Sequence, residues 1–111
     1  MEYLKTLLGS ESSEQILIFI LARESGYPTE VAKFYASYLY TIQKQMEKLE
    51  AGNVLSSKTV GRTRVYTFNP RYPFLKELKA LLQRALSFYP EQLQKALTMD
   101  RRRPRRSGKP L

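Results

Sequence analysis

The chain of 111 residues has room for one domain, and 42% hydrophobic against 26% charged residues supply a modest core. It contains neither Cys nor His, which removes disulfides, thiolate and imidazole metal ligands, cysteine nucleophiles and the commonest general base near neutral pH. The net charge of +9 is unevenly spread: residues 101–111 hold six cations and no acid, so the first 100 residues carry 13 cations against 10 acids. These numbers disfavour an enzyme, a metal site or any other cofactor. The longest apolar run, Ile16 to Ala22, is far short of the roughly 20 residues of a membrane span, and the Met1 end carries Glu2 and Lys5 instead of a basic signal region. A soluble, cytoplasmic chain with no membrane partner is expected.

In chain order, Glu2 to Leu8 reads as a short apolar helix that Gly9 stops, because glycine adopts the left-handed conformation at a helix end without a Cβ clash. From Ser10 the sequence offers several caps, and Ser12 with Gln15 three residues on has the form of a capping box for a helix ending near Arg23. Its run Ile16 to Leu21 is too continuously apolar for a helix with one wet face, which places it at the domain centre or against another subunit; a buried strand is the alternative. After the break at Gly26, Tyr27 and Pro28, Thr29 is the expected cap of a short helix through Val31, Ala32 and Phe34, with Glu30 where the helix dipole favours negative charge. Tyr35, Ala36 and Ser37 form a brief connection, Ser37 being the expected cap of the next helix. There Leu39, Ile42, Met46 and Leu49 fall at steps of three, four and three, one narrow apolar stripe.

Gly52 and Asn53 end that helix, and the period then changes to that of strands. Val54 to Val60 and Arg64 to Phe68, joined by Gly61, Arg62 and Thr63, read as a β-hairpin. A helix from Phe74 to about Tyr89 shows a broad apolar face of Phe74, Leu75, Leu78, Leu81, Leu82, Ala85 and Leu86. Pro90 is expected in the first turn of a last helix through Leu93 and Leu97. Residues 1–99 are the expected folded domain with terminal dimerisation helices. Residues 100–111, where Pro104, Ser107, Gly108 and Pro110 interrupt the cations, bury too little to offset their ordering entropy and read as a disordered basic tail.

Three helices, the last preceded by a short turn and followed at once by a two-stranded hairpin, is the order of a winged helix-turn-helix domain. The fold class expected is mainly α with a small β-hairpin, with additional C-terminal helices. The matching residues are Thr29, Val31 and Ala32, then Ile42, Met46, Leu49 and Glu50 followed by Ala51 to Leu55, then Gly61 to Tyr66 with Phe68, Asn69 and Pro70. On these, the stretch from Ser10 to Pro70 resembles the ArsR-like class of winged-helix transcriptional regulators. Two departures stand out. The turn before the reading helix lacks that class's usual Gly, and the Cys and His ligands of its metal-sensing members are absent, so a metal sensor is not expected. The resemblance implies a sequence-specific, dimeric DNA-binding regulator.

The residues can be weighed for that chemistry directly. At about 100° per residue, the face opposite the apolar stripe carries Ser37, Tyr40, Thr41, Lys44 and Lys48, with Gln45 at one border, Glu47 at the other and Glu50 on the flank. Lys donates to guanine acceptors, Gln pairs with adenine, and Thr or Tyr bonds bases or phosphates; an ordinary solvated face is the alternative. Lys58, Arg62, Thr63 and Arg64 set donors along and at the tip of a ribbon suited to phosphates or a minor groove, and no acid interrupts residues 51–76. The alternative there is an edge lysine that blocks strand pairing. Of the tyrosines, only Tyr40 is assigned to DNA; the rest read as core-edge residues. Arg101, Arg102, Arg103, Arg105, Arg106 and Lys109 of the tail would grip phosphates without reading sequence.

Leu4, Leu8, Leu78 and Leu82 are the expected homodimer surface, the alternative being that these helices cap a monomeric core, and a twofold dimer would present two reading helices to half-sites about one DNA turn apart. The pairs Glu11 with Glu14 and Glu47 with Glu50 read as exposed and solubilising. The expected function is a double-stranded DNA-binding transcriptional regulator, a homodimeric repressor. The alternative is a protein-interaction adaptor or antitoxin-like winged helix whose basic tail docks an acidic partner, with RNA binding third.

Overall fold

The computed structural model describes residues 3–98. The elements follow in the order α1 (Lys5–Leu8), α2 (Glu11–Arg23), α3 (Pro28–Tyr35), α4 (Leu39–Ala51), β1 (Leu55–Val60), β2 (Thr63–Phe68) and α5 (Leu75–Ser87), then a helical stretch over residues 91–98. Gly9 ends α1 in the left-handed region at φ 92°. α2 is the central helix: Ile16, Leu17, Ile18, Phe19 and Ile20 are all at most 1% exposed, and α1, α3, α4, α5 and β2 pack around it. The run is a buried helix, not a strand.

Local caps differ from those expected. Ser10, two residues ahead of Ser12, is the α2 cap and its hydroxyl accepts from the Ser13 N–H at 3.1 Å; Ser12 sits inside the helix, buried. α3 starts at Pro28 with Tyr27 as its N-cap, so Thr29 is a first-turn residue, and the Glu30 carboxylate accepts from the Tyr27 N–H at 3.4 Å. α4 is capped at Tyr38 without a side-chain bond, because the Ser37 hydroxyl donates instead to Gln15 Oε1 at 3.2 Å. The Pro90 carbonyl accepts from Leu93 and Gln94, which puts this proline at the cap position just before the last helical stretch.

Two features hold α3 and α4 in place. Gly26 lies so close to α2 that a Cβ there would meet the Phe19 ring at 3.0 Å, and its N–H and C=O both pair with Tyr66 of β2. Between α3 and α4, Ala36 adopts the left-handed conformation at φ 54°, and the Ser37 N–H donates to the Ala32 carbonyl at 2.9 Å. Ala36 therefore occupies the backbone conformation that the missing glycine would adopt more readily. Ile42 and Met46 reach the core with 0% exposure, while Leu39 at the other end of the expected stripe remains 40% exposed.

β1 and β2 pair antiparallel from Leu55 with Phe68 to Val60 with Thr63. Val54 lies before the strand, and Thr63 belongs to β2 instead of the loop, leaving a two-residue turn. Gly61 there has φ 65°, the glycine-first arrangement whose twist matches a hairpin.

The remaining helices close the core against the start of the chain. Leu4 is 8% exposed and Leu82 and Leu97 are 0%, and Leu8 and Leu78 pack against the same cluster. Leu4 and Leu82 are thus core residues of this chain and offer no surface to a second copy. Glu14 is also buried, at 1% exposure, contrary to the expected solvated pair. Its carboxylate accepts from the Tyr3 N–H at 3.0 Å, the Leu4 N–H at 2.7 Å and the Tyr89 hydroxyl at 2.6 Å. Arg23 plays the matching part at the far end of α2. Its guanidinium donates to the Leu97 and Ala96 carbonyls and lies over the Phe19 and Phe34 rings.

Candidate nucleic-acid interface

α4 turns Ile42 and Met46 inward, so the opposite face is left to solvent: Tyr40, Thr41, Lys44 and Lys48 are exposed there, with Gln45 half-buried on the flank. Ser37 does not join them; it precedes the helix and its hydroxyl is held by Gln15. Lys44 sits within a small cluster, its ammonium 3.8 Å from the Glu47 carboxylate and 5.8 Å from the centre of the Tyr40 ring. Tyr38, 85% exposed at the α4 N-terminus, belongs to the same surface. It was missed because a residue in a turn leaves no periodic signal.

The hairpin carries its cations on two sides. Thr59 pairs with Arg64 and Lys58 with Val65, and residues alternate faces along a strand, so Lys58 and Arg64 point to opposite faces of the ribbon. Arg62 stands exposed at the tip and Thr63 is half-buried. The base of the ribbon is tied to α4: the Ser57 hydroxyl donates to Glu50 Oε2 at 2.7 Å, so Glu50 is a structural acceptor and not a solubilising group. Burial first, and then the Glu50 carboxylate, push the Tyr66 phenol above its ordinary pKa, with Arg64 opposing and Glu47 adding to the rise.

Beside the start of α4 lies a cleft of about 460 Å³ lined by Ser10, Glu11, Ser12, Gln15, Tyr35, Ala36, Ser37, Tyr38 and Thr41. The Tyr35 hydroxyl in its wall is buried with no hydrogen-bond partner, and burial, against the pull of Arg23, pushes that phenol well above the ordinary range. The tail cations Arg101 to Lys109 lie outside the described residues. Among the described residues, no three or more His, Cys, Asp or Glu are grouped to hold a metal ion, and no helix is long and apolar enough to cross a membrane.

This order of helices, with a two-stranded wing directly after the exposed α4, defines a winged helix-turn-helix fold. No family model and no curated protein matches the sequence. Solved structures of ZitR from Lactococcus lactis are similar in fold. A mutant in apo form superposes with a TM-score of 0.54 at 13% identity, covering 96% of this chain and 89% of that one. A second structure of the mutant gives 0.50 at 13% identity, covering 88% and 75%. At that identity the likeness is one of fold.

Proposed function

We propose that this protein is an ArsR-like, sequence-specific DNA-binding transcriptional regulator that represses by occupying promoter DNA as a homodimer. The observation that carries this reading is the solvent-facing side of α4, where Tyr40, Thr41, Lys44 and Lys48 form a hydrogen-bonding surface next to a hairpin with Arg62 at its tip. An α-helix fits the major groove, where such side chains distinguish base edges. Arg62, with Lys58 or Arg64 according to which ribbon face meets the DNA, would hold phosphates, and the tail cations would add charge.

The contact between copies moves from the expected leucines to α5. Phe74, Leu81 and Phe88 are 62%, 37% and 56% exposed and recur every seven residues, the repeat of a helix-pairing seam. Tyr3 extends the seam, its ring 5.9 Å from that of Phe88.

Selection of bound duplexes from a random DNA pool at near-physiological salt tests the function. Enrichment of an inverted repeat with half-sites about one helical turn apart is the expected result. Folded protein that enriches no sequence would overturn the reading and leave a protein partner as the object of search.

A further inference from the structure

Glu47 is an anomaly on the surface just described. About 100° per residue places Lys44 about 180° from the midpoint of the buried Ile42 and Met46 and Glu47 about 120° from it, so Lys44 projects from the face opposite the core and Glu47 from the border of that face. The Glu47 and Lys44 side chains are 61% and 57% exposed, so neither burial nor packing accounts for the acid. If α4 lies in a major groove, a carboxylate there is repelled by the phosphates on both sides and lowers affinity for every sequence alike. The neighbouring Lys44 offsets part of that cost for every sequence; a sequence-dependent gain needs a donor on a base edge, and the major groove presents two, cytosine N4 and adenine N6.

The ion pair narrows the choice. Lys44 Nζ and Glu47 Oε1 are 3.8 Å apart and present a donor and an acceptor side by side. In a G·C pair, guanine O6 and cytosine N4 are hydrogen-bonded to each other at about 2.9 Å and both face the major groove, so they offer the complementary acceptor and donor. An A·T pair offers a similar couple, but thymine sets a methyl group beside the lysine and adenine N7 sets an acceptor beside the carboxylate. Guanine instead adds N7 as a second acceptor for the ammonium.

Resting on the DNA-binding reading, we infer that Glu47 is a specificity-determining residue that, paired with Lys44, reads one G·C base pair per half-site. The carboxylate accepts from cytosine N4 and the ammonium donates to guanine O6 and N7. Because the pair is directional, it distinguishes G·C from C·G.

The test is duplex selection with the wild-type protein, Glu47→Ala, and the double swap Lys44→Glu with Glu47→Lys, each confirmed folded by circular dichroism. The wild type is expected to enrich a G·C pair at one position of each half-site, by at least about tenfold over the other pairs. Glu47→Ala should relax that position alone while raising affinity for unrelated duplexes, and the swap, which preserves net charge, should invert the preference to C·G. A Glu47→Ala profile identical to wild type, or a swap that leaves the orientation unchanged, would overturn the inference and leave the regulator reading standing. Absence of any enriched sequence with the wild type would overturn both.

Discussion

Tyr35 is the side chain least at ease in the fold. Its hydroxyl is buried without a partner, and an unpaired buried polar group costs more than its replacement by an apolar one of the same shape. Tyr35→Phe is therefore expected to stabilise the domain by about 1 kcal/mol at neutral pH, as read by urea denaturation. The pH dependence has a definite sign. An unfolded tyrosine ionises near its ordinary value of 10.0, whereas burial keeps the folded one protonated well above it. The unfolded state thus loses its proton first, and stability present below that pH is lost as pH rises through it. The thermal midpoint should fall between about pH 9 and about pH 11, and fall less in Tyr35→Phe, where the Tyr66 contribution remains. An equal fall in both proteins would exclude Tyr35 as a cause. Glu14 shows the opposite adaptation, a buried carboxylate with three donors converging on it. Spacing alone gave it the look of a surface acid, because a first-turn acid on a helix covered on all sides has the same local pattern as one in water.

At the scale of elements, the hairpin and α4 act as one piece through the bond from Ser57 to Glu50, which sets the base of the wing against the reading helix. Arg62 stands exposed in the turn at the tip. Arg62→Ala should weaken binding about equally for all DNA sequences and lower the magnitude of the salt slope by about one, measured by titrating affinity against salt. A changed sequence preference would instead make Arg62 a base reader. Elements were legible wherever periodicity was strong: the stripe of Ile42 and Met46 marked α4, and the two β-branched runs marked the wing. Caps were not, since Ser10, Ser12 and Ser37 are chemically equivalent candidates. The choice among them was decided by where α1 ends and by Gln15 reaching across to Ser37.

For the whole molecule, the surplus apolar surface is real but lies elsewhere than expected. Leu82 and Leu4 are enclosed in the core cluster, whereas the seam residues Phe74, Leu81 and Phe88 are among the large apolar side chains left in solvent. On the proposal that this seam pairs two copies, the wild type should sediment as a dimer at micromolar concentration. Leu81→Glu, which buries a charge in the seam of a dimer but not in the monomer, should shift it to a monomer with unchanged far-ultraviolet circular dichroism. A wild-type monomer mass would remove the dimer from the proposed function.

The amino-acid sequence by itself determined the order of helices and hairpin and the solvent-facing chemistry of α4, because hydrophobic period and turn residues are local properties that survive without tertiary context. Tertiary structure alone decided which apolar and acidic side chains are enclosed. Leu4, Glu14 and Leu82 meet their partners across the chain, and no local pattern separates a residue covered by a distant helix from one left for a partner. The same holds for Lys58 and Arg64, whose opposite faces follow from the strand register, and for Ala36, whose left-handed backbone is held by the packing of α3 against α4.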